Sequence, residues 1–213
     1  MHTNSKGGAT IYLMNSQILE KTQNSATPLI VTNLVDISWQ KTLENELVRL
    51  NLTDQLTNLP NRRAYDQQMQ KYAELQERFP EDVFVLAIVD IDHFKAVNDT
   101  HGHEVGDQVL IRFSKTVSNA MRKIDTIYRI GGEEFVLLLP KTSQQNAVIV
   151  LERIRLAIES DKTEPMITCS IGFVSSVQNA NNLFKAADKA LYKAKSSGRN
   201  QVCIFDAGSQ NKD

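Results

Sequence analysis

An α+β domain of ferredoxin-like plan, one sheet with flanking helices, is what the patterning of this chain predicts. Three observations carry that expectation. VFVLAIVDID at 83–92 is a continuous apolar run ending in acids, the pattern of a strand buried on both faces. TIYRI at 126–130 and FVLLLP at 135–140 flank a Gly-Gly pair and read as a hairpin. Helical periodicities alternate with these strands, giving strand, helix, hairpin, helix, strand, with the helices on one side of the sheet.

The elements follow in order. Residues 1–37 hold two strand-like runs, ATIYLM and PLIVTNLVDI, separated by a polar turn region. Ser38 can cap a linker helix over 38–53, in which Leu43, Leu47 and Leu50 recur at spacings of four and three. It is too short for a stable isolated coiled coil but can pair with a copy of itself. The main domain, 54–206, opens on DQLTNLPNRR, followed by a helix to Phe79 that Pro80 stops, and then the strand 83–90. HFKAVN reads as a short helical turn. A helix over 104–122 carries Val105, Val109, Phe113, Val117 and Met121 on one stripe. After the hairpin come a helix (143–158), the strand MITCSIGFV, a helix (181–196) and a closing strand QVCIF; 207–213 is a polar tail. Polymerase palms and nucleotidyl cyclases share this plan, which by itself fixes no function.

Composition excludes several classes. A chain of 213 residues holds one ordinary domain plus a flanking element. A formal charge of −1 disfavours non-specific nucleic-acid binding. No apolar stretch approaches the roughly 20 residues of a membrane span, and MHTNSKGG lacks an apolar signal region. Cys169 and Cys203 lie in apolar strand-like runs, where buried reduced thiols of a cytoplasmic protein are expected.

The chemistry centres on GGEEF at 131–135. Gly131 and Gly132 are expected to supply the positive φ angles of a tight turn and to let a ligand approach the backbone. Glu133 and Glu134 then sit at the tip, where adjacent carboxylates repel each other unless a cation lies beside them. Asp90 and Asp92 share a face of their strand. Asp92 reads as the N-cap of the HFKAVN turn, Asp90 as the metal-ligand candidate. Oxygen donors without a Cys/His cluster point to Mg²⁺, with Mn²⁺ as the alternative, bound jointly with a nucleotide.

Five motifs in order, DQLTNLPNRR, DIDHFKAVND, GHEVGDQVL, RIGGEEF and ADKALYKAKSSGRN, resemble the GGDEF-domain diguanylate cyclases, which join two GTP into cyclic di-GMP. The resemblance implies a homodimer in which each domain holds one GTP. It makes Asp90, Glu134 and the Ile91 carbonyl metal ligands, and Glu133 the catalytic acid beside the metal. Lys95 offsets charge on the transferring phosphoryl group. Phe94, Asn98, His103 and Asp107 become substrate positions, and Lys195 and Arg199 grip the triphosphate. Asp107 favours guanine because a carboxylate accepts both N1–H and the 2-amino N–H, a donor pair that adenine lacks. Arg122 and Asp125 of RKID, with Arg153, match the family's product-inhibition site for cyclic di-GMP. Without that register, Lys195 and Arg199 read as solvated charges and RKID as a surface ion pair. The DQLTNLPNRR segment is expected to position the linker helix, with its Asn-Arg-Arg structural.

Residues 9–50 resemble the last two strands and exit helix of a PAS sensor domain, most of which is absent. Two alternatives to a cyclase stay open: a degenerate module that binds GTP or cyclic di-GMP without turnover, and a cyclase making an adenine-containing dinucleotide. The intact acids oppose the first and Asp107 the second.

Overall fold

The N-terminal runs form strands. β1 (His2–Thr3) pairs antiparallel with β2 (Ala9–Thr10), and β3 (Tyr12–Leu19) pairs with β4 (Leu29–Asp36) from Tyr12↔Asp36 to Leu19↔Leu29. The structure is a computed structural model that describes residues 2–3, 9–19, 29–79, 81–177 and 182–206. The 207–213 tail, the turn between β3 and β4, and Pro80 lie outside them. The chain divides into two units, 1–51 and 52–213.

In the first unit, side chains alternate across the β3–β4 pair. Tyr12, Met14, Ile30 and Leu34 fall on one face and Leu13, Val31 and Val35 on the other, all exposed. α1 (Ser38–Leu52) follows. Ser38 is not its N-cap but its first helical residue. The Ser38 hydroxyl accepts the Ile11 N–H at 2.9 Å, and the Asp36 carboxylate accepts the Ser38 N–H at 2.9 Å. Leu43, Leu47 and Leu50 of the expected stripe are exposed.

The second unit begins with α2 (Arg62–Arg78), where Asn61 accepts the Ala64 N–H at 3.2 Å as N-cap. β5 (Phe84–Ile91) is buried along its whole length. α3 (Phe94–His101) and α4 (His103–Ala120) are separated by Gly102 at φ 83°, a left-handed position that glycine tolerates. β6 (Thr126–Arg129) and β7 (Glu134–Pro140) form the hairpin. α5 (Gln144–Glu159), capped by Ser143, leads to β8 (Cys169–Ser175), α6 (Leu183–Ser196) and β9 (Val202–Ile204). The strand order is β6-β7-β5-β8-β9, antiparallel except for β8 with β9.

Helices cover both faces of this sheet, not one as the element order suggested. A strand apolar at every position needs a cover on each side. Val85, Ala87, Val89 and Ile91 pack with Phe135 and Leu137 against Phe113 and Val117 of α4 and Leu151 and Ile154 of α5. Phe84, Leu86, Ile88 and Val136 pack on the opposite face against Tyr65 of α2 and the Ala186, Ala187 and Ala190 stripe of α6. Alanines bring α6 close to the sheet, and a Cβ on Gly172 of β8 would run into the Leu191 and Ala187 backbone. That close approach sets where the C-terminal end of α6 lies. Cys169 and Cys203 are free, and burial pushes both thiols up.

Candidate active site

The strand pairing assembles the acids. β5 and β7 place Asp90 opposite Glu134, and the Ile91 N–H donates to the Glu133 carbonyl at 3.4 Å. Asp90 is 6 % exposed; Glu133 is half-buried and Glu134 exposed. Burial pushes the Asp90 carboxyl above the usual carboxylate range, aided by the charges of Glu133 and Glu134, while Lys195 opposes the rise. Lys195 does not stand out in solvent: its Nζ lies 2.8 Å from Asp90 Oδ2.

The turn itself differs from expectation. Neither Gly131 nor Gly132 adopts a positive φ. A Cβ on Gly131 would come within 2.9 Å of Glu134 Oε2, whereas one on Gly132 would meet nothing within 4 Å. The first glycine therefore lies beside the Glu134 carboxylate, and the second leaves the backbone open to a ligand. Arg129 supplies the rigidity. Its Nε donates to the Gly131 and Gly132 carbonyls at 3.2 and 3.1 Å, Nη2 to Gly132 at 2.8 Å, and Nη1 to Asp54 at 2.9 Å. Asp54 also accepts the Thr57 N–H and hydroxyl at 2.8 and 2.7 Å. Burial raises the Asp54 carboxyl, but the bonds from Thr57 and Arg129 outweigh it and hold the group below the usual range. The DQLTNLPNRR loop thus lies beside β6, with the Arg129 N–H on the Pro60 carbonyl at 2.9 Å, and grips the acidic turn. The sequence pattern alone suggests a different role for this motif, positioning the linker helix, and gives Arg129 none. A cation two residues before Gly-Gly, with a distant unassigned Asp, was the available signal.

Asp92 does not cap α3, whose N-cap is His93 without a side-chain bond. Its carboxylate accepts from the Thr168 and Ser170 hydroxyls, both at 2.7 Å, and from the Asn200 N–H at 3.0 Å. Gly198, Arg199 and Asn200 run left-handed in succession, at φ 111°, 63° and 45°. Two non-glycine residues in that region are costly, and the Asp92 anchor helps to hold them there. Arg155 fixes the same loop, donating to Asn200 Oδ1 at 2.8 Å while Asn200 donates to Glu159 at 2.7 Å.

The remaining positions fall into three places. Asn98 packs against α4 at Gly106, where a Cβ would strike its Oδ1, one residue before the exposed Asp107. Phe94 is buried in the core beneath this crossing, while His103 at the start of α4 and Lys95 on α3 are exposed. Arg199 is exposed past α6. Arg122 and Asp125 lie at a separate corner, where the carboxylate takes the Arg122 backbone N–H at 2.9 Å and not its guanidinium. Arg153 of α5 reaches the same corner, donating to the Ala120 carbonyl at 2.6 Å.

Among the described residues no three acid, His or Cys side chains converge as a formed metal centre. The donors nevertheless suit a hard divalent cation: a buried carboxylate, a second carboxylate from the paired strand, and no nitrogen or sulfur ligand. No helix among the described residues is long and apolar enough to cross a membrane.

A mixed sheet with helices on both faces and acids gathered at one strand end and hairpin tip defines a palm-type α+β nucleotidyl-cyclase fold. Residues 51–201 match the family described as "Diguanylate cyclase, GGDEF domain", and the chain belongs to that family. It is 40 % identical over 176 residues to diguanylate cyclase DgcM of Escherichia coli, covering 78 % of this chain and 42 % of the relative. It is 43 % identical over 158 residues to diguanylate cyclase DgcP of Pseudomonas aeruginosa, covering 71 % of this chain and 23 % of that protein. The chain therefore spans less than half the length of these curated relatives. The crystal structure of the coiled coil and GGDEF domain of DgcB from Caulobacter crescentus, in complex with c-di-GMP, superposes with a TM-score of 0.73 at 30 % identity. It covers 79 % of this chain and 93 % of that one.

Proposed function

We propose that this chain is a diguanylate cyclase, condensing two GTP into cyclic di-GMP with release of two pyrophosphates. The observation that carries this reading is the pairing of buried Asp90 with Glu134 across β5 and β7, beside Glu133 and under the Lys195 ammonium. Carboxylates and a cation in one place are what phosphoryl transfer needs to position a polyphosphate and move one proton. A divalent cation, Mg²⁺ or Mn²⁺, would be held by Asp90, Glu134 and the Ile91 carbonyl and would neutralise phosphate charge. Glu133 takes the proton of the 3′-hydroxyl as that oxygen attacks the α-phosphate of the other GTP and pyrophosphate leaves. Lys95, Lys195 and Arg199 hold the triphosphate, with Phe94 and His103 around it, and Asn98 with Asp107 reads guanine.

One domain holds half of this reaction, so the working unit is a homodimer in the cytoplasm, where GTP is available. The corner formed by Arg122, Asp125 and Arg153 is read as a product-inhibition site; the buried Asp125 Oδ1, which has no hydrogen-bond partner among the described residues, supports it. Residues 1–37 and 38–53 are read as the closing strands of a PAS-type sensor domain and its linker helix, ahead of a cyclase domain over 54–206. The exposed apolar residues on both faces of the β3–β4 pair support that assignment. Incubation with GTP, ATP or both, with Mg²⁺ and chromatography of the products, tests the activity. Cyclic di-GMP from GTP alone is expected; no dinucleotide from any mixture refutes a cyclase.

A further inference from the structure

We infer that Lys195 is a built-in stand-in for the metal: its ammonium holds Asp90 in the nucleotide-free protein, and a divalent cation must displace it to bind. The inference rests on the reading of Asp90 as a metal ligand. Lys195 Nζ is 2.8 Å from Asp90 Oδ2, and the two side chains are 34 % and 9 % exposed. The carboxylate is thus locked in the protein while its cation sits at the mouth of the site.

Three features make the exchange physical. A buried, charged carboxylate left unpaired is strongly unfavourable, and Glu133 and Glu134 add further negative charge at Asp90, so an ionised Asp90 needs a cation beside it. The alanine stripe of α6 and its backbone contact with Gly172 fix the helix, so Lys195 reaches Asp90 from a rigid base. A lysine stem is flexible and its ammonium has three donors, so it can turn from Asp90 to phosphate oxygens without moving the helix.

This geometry couples the two ligands. A metal ion arriving alone must break the Lys195 ion pair and leaves that lysine without a partner. A metal ion arriving with a triphosphate offers Lys195 new oxygens, so one ion pair is exchanged for two.

The test is Mn²⁺ binding without nucleotide, followed by electron paramagnetic resonance. Lys195→Gln should bind Mn²⁺ roughly tenfold more tightly than wild type, the lower range for a hydrogen bond between charged groups. Arg199→Gln removes an equal charge four residues along and should gain less than about twofold, as a solvated surface charge does. The inference is overturned if Lys195→Gln gains no more than Arg199→Gln while Asp90→Asn still abolishes binding. Binding indifferent to Asp90→Asn refutes the metal-site reading itself, and this inference with it. Wild-type protein gives a second readout that needs no variant. Acetylation of Lys195, followed by mass spectrometry, should accelerate severalfold when saturating Mn²⁺ alone is added, and an unchanged rate overturns the displacement.

Discussion

Replacing Arg129 by alanine tests whether the acidic turn is positioned or merely present. The Arg129 side chain is 12 % exposed and donates to two turn carbonyls and to Asp54. Losing a charged, half-buried group of this kind costs about 1.5–3 kcal/mol of stability. In a protein of this size that corresponds to a fall in Tm of roughly 3–12 °C. The effect on turnover should be larger than stability alone explains. Without Arg129 the turn keeps the Ile130 and Gly131 N–H bonds to the Glu134 carbonyl, at 3.0 and 3.3 Å, and the long 3.4 Å bond from Ile91 to the Glu133 carbonyl. It loses the bonds that hold the Gly132 carbonyl, so the tip carrying Glu133 would relax. A displacement near 1 Å at a reacting group costs on the order of a hundredfold in rate. Initial rates of cyclic di-GMP formation should therefore drop about a hundredfold in kcat, with a smaller change in KM for GTP. Arg129→Lys should recover stability more than rate, because an ammonium cannot fork onto Asp54 and two carbonyls together. A folded Arg129→Ala protein with wild-type kcat would refute the positioning argument.

The same grip has a pH signature. Asp54 has a folded-state pKa below its unfolded value. Its contribution is therefore fully present above the unfolded value, about pH 4, and is lost as pH falls through the folded value. The stability gap between wild type and Asp54→Asn should stay constant from about pH 6 to 8 and shrink below about pH 4. A gap that widens on acidification would reverse the sign and exclude the Arg129 and Thr57 bonds as its source.

Three further outcomes are expected. Glu133→Gln should abolish turnover while leaving thermal unfolding unchanged within a degree or two; product formation above about one hundredth of wild type would remove Glu133 as the proton acceptor. Asp107→Ser should let ATP enter the product in mixed-nucleotide incubations, since the acceptor of guanine's two donors is lost, and an unaltered product profile would place base reading elsewhere. Arg122→Ala should weaken inhibition by cyclic di-GMP about tenfold to a hundredfold at nearly unchanged initial rate, the loss expected for one charged contact. Progress curves reaching the same plateau as wild type would exclude that corner as the inhibitory site.

Much of the fold was legible because its signals are local. The apolar run of β5, the stripe of α4 and the apolar pair around Gly-Gly each declare an element within a short window. The second helical layer was less visible: α2 buries Tyr65 alone and α6 buries mainly alanines, so neither has a strong apolar stripe. Reading β5 as buried on both faces already required that layer. Gly-Gly suggested left-handed turn residues, yet neither glycine is left-handed, and what marks Gly131 is the neighbouring Glu134 carboxylate, whose Oε2 would lie 2.9 Å from a Cβ there. That distinction depends on Glu134 three residues away and on Arg129 across the turn, and no pattern of glycines carries it.

Asp90 and Asp92 show why the finer site was not legible. They are the same residue type, two apart, at the end of one strand and just past it, yet they carry opposite assignments. Asp92 accepts three hydrogen bonds from neutral donors, two of them hydroxyls 76 and 78 residues away and the third an N–H 108 residues away. Its oxygens are engaged in holding the left-handed 198–200 loop, which leaves it poorly placed to serve a metal. Asp90 has one partner that can leave, a lysine at the mouth of the site. What separates an anchor from a ligand candidate here is the mobility of the partner, and that is set by long-range packing of α6 and the 198–200 loop.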